Sequence, residues 1–222
     1  MGKKTEDLDD LLDLVTEREH KFPGSYLRRA IGGFDTAIGD VKGKVPGQPD
    51  VKRLGGTPGS RRGYASAMKR DMTPKDEAYR LCKLRDEFGF DAFKVRAGAE
   101  VGRNKDEWPG RTEEIIPTIS TELGDRVDLL IDANSCYTVD RAIEIGKLLQ
   151  DNGFSHFEEP CHYWELEETK AVTDTQEIEV SGDEKDCEIP TERRMLEKDA
   201  GNNEKQENVY MGGINGNNKA WE

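Results

Sequence analysis

Asp132, Glu158 and Glu184 stand 26 residues apart in two equal steps, and each closes a short strand-like run that leads into a helix-like pattern. In an eight-unit parallel barrel of roughly 250 residues, one strand-plus-helix unit takes about 31 residues and the strand C-terminal ends converge on one face. Three carboxylates recurring near that period would meet in space. Such a cluster repels itself and is costly to desolvate unless protons or a cation lie between its members. A hard divalent ion such as Mg²⁺ answers this, because it takes oxygen ligands in octahedral geometry and keeps positions open for water or substrate. An ion held that way can bind a substrate carboxylate and stabilise the charge that develops when its α-proton is removed, with a nearby lysine as base. Taken singly, each acid has a plainer explanation: Asp132 and Asn134 as caps of the following turn, Glu158 and Glu159 at a helix N-terminus, Glu184 in solvent.

The elements that must position these residues follow from periodicity. Residues 5–21 carry Leu8, Leu11, Leu12 and Val15 at helical spacing and stop at Pro23-Gly24. A second helix is expected to start with Ser25 as its cap and to bury Leu27, Ala30, Ile31, Phe34 and Ile38. Val41 to Arg62 is rich in Gly, Pro and Lys and predicts an extended linker. From Gly63 onward strand and helix alternate. Strands are predicted at 63–68, 91–96, 127–132, 154–158 and 177–182, with helices at 73–88, 109–123 and 138–149 punctuated by Gly89, Gly124 and Gly153. Five strand-helix units in series predict a parallel sheet with right-handed crossovers, closed or partly closed into a barrel.

Strand alternation then assigns faces. If Asp132 points into the barrel, so do Leu130 and Asp128, while Ile131, Leu129 and Val127 face the helices. Glu158 shares its face with His156, and Lys94 with Arg96, so the acids and both cations can line one cavity. His156 and His162 are read as packing or surface residues, Arg61-Arg62 as a solvated loop, and Trp164 as an anchor at a helix start.

Composition narrows the partners. The chain has 222 residues, 34% hydrophobic and 36% charged, with a net charge of −13. That charge argues against nucleic acid, whose phosphates call for a basic surface. No apolar run approaches a membrane span and no signal-peptide core follows Met1, so a cytoplasmic location is expected. Cys82, Cys136, Cys161 and Cys187 lack CxxC spacing, which predicts reduced, partly buried thiols rather than a zinc or redox site.

The ordered strings Phe93-Lys94-Val95-Arg96, Asp132-Ala133-Asn134, Phe157-Glu158-Glu159-Pro160 and Ser181-Gly182-Asp183-Glu184 resemble the mandelate racemase and muconate lactonizing branch of the enolase superfamily. The resemblance covers about residues 26–214. It implies a partial TIM-type (β/α) barrel of about five or six strand-helix units over 59–222, preceded over 1–58 by helices from the end of an α+β capping domain. It also implies Asp132, Glu158 and Glu184 as Mg²⁺ ligands, Lys94 and Arg96 as the catalytic pair, and Asn134 and Glu207 as supporting residues. The reaction implied is α-proton abstraction from a small hydroxy acid or acid sugar through an enediolate, by a dehydratase or racemase.

Three departures from the family pattern follow. Arg96 stands where a base lysine often stands, and arginine keeps its proton, with an ordinary pKa above about 12. Asp183 replaces a glycine. Residues 199–213, aligned with the sixth strand, carry Gly, Asn, Glu and Lys in place of apolar residues, and no seventh strand follows. The chain is therefore expected to be a fragment, or else completed by a partner such as a second copy, because an open barrel leaves unpaired edges. The competing expectation is a catalytically inactive fragment or a non-catalytic cation-binding module.

Overall fold

The computed structural model describes residue 4 and residues 7–22, 24–182, 189–204 and 209–220. Glu184, Cys187 and Glu207 lie outside the described residues. In chain order the first elements are α1 (Leu8–Arg18), α2 (Ser25–Lys44), α3 (Asp50–Arg53), β1 (Ala65–Ser66) and α4 (Pro74–Phe88). There follow β2 (Ala92–Arg96), α5 (Arg111–Leu123), β3 (Asp128–Asp132), α6 (Val139–Asp151), β4 (His156–Glu158) and α7 (Leu166–Thr173). The last are β5 (Glu179–Gly182), α8 (Ile189–Lys198), β6 (Asn203–Glu204) and α9 (Ile214–Ala220). Two compact units divide the chain, one drawn from Met1–Arg61, Glu184–Arg194 and Gln206–Glu222, the other from Arg62–Asp183 and Met195–Lys205. No helix of the described residues is long and apolar enough to cross a membrane.

In the first unit, Leu8 and Leu12 of α1 bury against Ile31 of α2, with Val15, Leu27 and Ile38 alongside. The predicted stripe on α2 is corrected in phase. Ala30 and Phe34 are exposed, and the buried row continues from Ile31 to Asp35, four residues on. Asp35 is tolerated there because the backbone N–H of Asn215 donates to it at 3.2 Å and the Asn215 side-chain amide donates to its other oxygen. Gly24, not Ser25, occupies the N-cap position. The expected extended linker is partly helical: α2 runs on to Lys44, and α3 forms where Asp50 pairs with Arg53 at 2.8 Å.

The second unit is a parallel sheet in the order β1-β2-β3-β4-β5-β6, with a helix after each of the first four strands: a partial (β/α) barrel. Register sorts its residues into layers. Val95, Ile131, Phe157 and Val180 are successive partners across four strands, and all are buried on the helix side. Against them pack Leu81 of α4, Ile115, Ile116 and Ile119 of α5, Ile145 and Leu149 of α6, and Val172 of α7. This helical spacing on one side and strand alternation on the other is what makes a single apolar layer. The opposite face carries Arg96, Asp132, Glu158 and Ser181 in one row and Lys94, Leu130, His156 and Glu179 in the row below.

Two features refine the sequence reading. Arg62 is an exposed loop residue that also donates to Asp91 Oδ1 at 2.8 Å and pairs with Asp128, tying the N-terminal ends of β2 and β3. The helix expected from Pro109 begins at Arg111, after Gly110 in a left-handed conformation.

Two substitutions separate local from tertiary stabilisation. Thr73 Oγ1 accepts from Asp76 N–H at 3.2 Å and caps α4; Thr73→Ala is expected to cost about 1 kcal/mol. Phe157 is fully buried in the apolar layer; Phe157→Ala is expected to cost about 3–5 kcal/mol. Urea unfolding of the two variants against the parent reads both numbers, and equal losses would contradict this account of the core.

Candidate active site

Arg96, Asp132 and Glu158 are consecutive register partners at the C-terminal ends of β2, β3 and β4, and Lys94 lies one inward position below Arg96. All four are buried: Lys94 and Arg96 are 5% and 6% exposed, Asp132 and Glu158 0% and 1%. Lys94 Nζ donates to Glu158 Oε2 at 2.7 Å and lies 3.8 Å from Asp132 Oδ2, with the Tyr64 ring 5.2 Å away. Arg96 pairs through Nη1 with Asp132 Oδ2 and donates to Asn134 Oδ1 at 2.9 Å. Its Nε donates to the Ala67 carbonyl at 2.9 Å. Each acid thus has its own cation, which offsets the repulsion between two desolvated carboxylates.

Asp132 also closes the following turn. It accepts from Asn134 N–H at 2.8 Å and from Asn134 Nδ2 at 3.1 Å. Turn-capping and membership of the charged cluster therefore coexist in one residue.

The rim above these strands is held by backbone bonds that continue the sheet pattern into the loops. Ala97 N–H donates to Asp132 O, Ala133 N–H to Glu158 O and Glu159 N–H to Ser181 O, at 2.8–3.0 Å. Farther out, Val101 N–H donates to Asn134 O, Ser135 N–H to Glu159 O and Tyr137 N–H to Pro160 O. Gly98 is required at its position. Its φ is +57°, and a Cβ there would lie 2.4 Å from Cys136 Sγ.

Lys94, Arg96, Asp132, Asn134 and Glu158 are thereby brought together, whereas Glu184 and Glu207 lie outside the described residues. Among the described residues no group of three or more His, Cys, Asp and Glu is placed to hold a metal ion. The two carboxylates at the cluster offer hard oxygen donors, the set that suits Mg²⁺. His156 sits a row lower, with Nε2 2.7 Å from Ser181 Oγ and Nδ1 3.4 Å from Glu179 Oε2. His162 stacks on Trp164 at 4.7 Å, and Trp164 is half exposed.

Sequence reasoning passed over Arg70, Tyr64 and the Ala67 carbonyl. The signal for two of them was positional: Ala67 and Arg70 follow β1, and residues just past barrel strands face the site, whereas Tyr64 precedes β1. Arg70 donates to Asn134 Oδ1 at 2.6 Å.

Comparison with known proteins gives a consistent set. The family described as Enolase C-terminal domain-like matches residues 76–221. Among curated relatives, arabinonate dehydratase of Saccharolobus solfataricus is 28% identical over 189 residues, covering 78% of this chain and 46% of that protein. D-galactarolactone cycloisomerase of Agrobacterium fabrum is 34% identical over 159 residues, covering 70% and 40%. A solved protein from Roseobacter denitrificans with a provisional racemase assignment is 65% identical with a TM-score of 0.96, covering 99% of this chain and 60% of that one. A mandelate racemase/muconate lactonizing protein from Paracoccus denitrificans, solved with magnesium, is 26% identical with a TM-score of 0.89, covering 99% and 59%. The chain spans about half the length of the curated relatives it matches.

Cys161, three residues beyond Glu158, supplies a pH reporter for this rim. Burial pushes its thiol from 9.0 up to about 12. Because the folded chain holds this proton more tightly than the unfolded chain, the associated stability is present below about pH 9 and lost as pH rises toward 12. The thiol is expected to resist alkylation at pH 8.5 until denaturant is added. Peptide mapping after iodoacetamide checks this, and rapid labelling of Cys161 in the folded chain would contradict its burial.

Proposed function

The chain belongs to the enolase C-terminal domain-like family, and on that premise we propose that it serves Mg²⁺-dependent abstraction of the α-proton of a small carboxylate substrate. The substrate class is a hydroxy acid or acid sugar, and the reaction that of a dehydratase or racemase. The observation that carries this reading is the buried Asp132–Lys94–Glu158 arrangement at adjacent strand ends. Residues 1–58 are read with it as the end of a capping domain.

Asp132, Glu158 and Glu184 would hold the ion. Bound there, Mg²⁺ supplies compensation for the carboxylates and stabilises negative charge developing on the substrate. Arg96 presents a planar fork already engaged with Asp132 and Asn134, so it orients groups rather than accepting protons. Lys94 is the nitrogen of the pair suited to proton exchange, and its Nζ sits between the two acids. Elimination needs one base, whereas racemisation needs proton transfer on both faces; a lone lysine therefore favours the dehydratase. The relatives named as arabinonate dehydratase and D-galactarolactone cycloisomerase support an acid-sugar substrate.

One observation favours a second reading, a non-catalytic cation-binding module. Arginine occupies position 96, and its guanidinium lies on Asp132.

Titration calorimetry with Mg²⁺ is expected to show binding that Asp132→Ala abolishes. Incubation with a panel of acid sugars in D₂O, followed by NMR, is expected to show α-proton exchange that Lys94→Met removes. Absence of Mg²⁺ binding by the parent chain would overturn both readings; binding without exchange would favour the module.

A further inference from the structure

Arg70, in the loop between β1 and α4, lies outside the motifs that define the proposed site. Its guanidinium joins three strand ends. From the loop after β1, Nε donates to the Gly98 carbonyl beyond β2 at 2.9 Å, and Nη2 donates to Asn134 Oδ1 beyond β3 at 2.6 Å. The group is partly buried, and desolvation lowers its pKa from the ordinary arginine value while Glu100, first among nearby charges, opposes that shift.

The consequence falls on Asn134. A side-chain amide can be placed either way round, and its partners decide which. Asn134 Oδ1 faces two guanidiniums, Arg70 at 2.6 Å and Arg96 at 2.9 Å, which only an acceptor satisfies. Nδ2 is thereby turned to Asp132 Oδ2 at 3.1 Å. The flipped amide would set its NH₂ against two cations and its oxygen against a carboxylate. Asn134 also holds φ +43° and Ser135 φ +62°, a conformation that persists only where the surroundings hold it. From that conformation Asn134 N–H donates to Asp132 Oδ1 at 2.8 Å. Both Asn134 donors that orient Asp132 thus come from a residue whose own orientation Arg70 helps to hold.

We propose that Arg70 is a positioning residue that fixes the Asn134 amide, through it the Asp132 carboxylate, and so the affinity of the cation site. The inference rests on the reading of Asp132 as a Mg²⁺ ligand. Arg96 is part of the cluster it orients, whereas Arg70 anchors the cluster to two loops that carry no ligand.

The test is a double-mutant cycle on the Mg²⁺ dissociation constant, measured by calorimetry on the full chain. Arg70→Met is expected to weaken binding about tenfold, within the 10–100-fold range usual for partners of metal ligands. Arg70→Lys is expected to recover part of this, since an ammonium lacks the fork that reaches both acceptors. In an Asn134→Ala background, Arg70→Met is expected to change the constant by less than about twofold, because coupled residues are non-additive. An equal loss with and without Asn134 would overturn the proposal, as would Arg70→Met binding within about twofold of the parent. If Arg70→Met does not fold, Arg70→Lys carries the same cycle. If the parent binds no Mg²⁺, the functional reading fails separately. That outcome also removes the affinity part of the proposal; on the urea-unfolding equilibrium of the metal-free chain, coupling of about tenfold then sustains only the hold of Arg70 on the Asn134 amide, and additivity ends that as well.

Discussion

Two carboxylates held side by side on neighbouring parallel strands, each compensated by a cation from β2, are the constraint on which the second unit depends. Asp132 and Glu158 are direct register partners, so their side chains cannot separate without breaking the sheet. Arg96 is the next partner in that row and Lys94 stands one inward step below, from where its amine reaches across β3 to Glu158. A one-residue slip of β2 would turn both cations toward the helices and put Phe93 and Val95 inside. The apolar layer forbids that slip, because Val95, Ile131, Phe157 and Val180 fill the helix side in register. Core packing and site chemistry are therefore two faces of one pairing pattern, and neither can be changed without the other.

The loops carry the same constraint outward. Strands of two to five residues are short for such a task, yet backbone bonds link residues beyond their ends, from Ala97 to Asp132 and from Tyr137 to Pro160. Positive φ values at Asn134, Ser135 and Glu159 let those loops bend while their amides still reach partners. Backbone in this region costs on the order of 1–3 kcal/mol per residue, and it gathers where surrounding structure over-determines a side-chain position. Here that side chain is Asp132, which receives both a backbone and a side-chain donor from Asn134.

What was legible in the sequence was what depends on period and punctuation. Alternation placed Lys94, Arg96, Asp132 and Glu158 on one face, and Gly89, Gly124 and Gly153 marked helix ends because each adopts positive φ. What was illegible depends on contacts between distant residues. Arg70 reaches Asn134 across 64 positions, and nothing local to either residue announces the bond. Asp35 misled the reading of α2 for the same reason: a carboxylate on the buried stripe makes sense only through Asn215, 180 positions away. Arg62 is a solvated loop residue whose pairing with Asp91 and Asp128 no local pattern announces. Polar residues that satisfy one another across the fold carry no periodic signature, so pattern reading assigns them to solvent by default.

The charge balance of the cluster bears on its proposed role. Asp132 and Glu158 against Lys94 and Arg96 leave no formal excess, so these four groups can be buried together without a further ion. Glu184, under the proposed function, adds a third carboxylate and makes the cluster negative by one. A divalent cation then turns it positive by one, and a substrate carboxylate returns it to neutrality. In a site shielded from water such balance is worth far more than at the surface, because the Coulomb energy grows as the effective dielectric falls. The same arithmetic gives Arg96 a reason to be arginine. A group that never releases its proton keeps Asp132 paired with a cation. The permanent cation protects the pairing of β2 with β3, and under the proposed function Lys94 is the nitrogen left to exchange a proton.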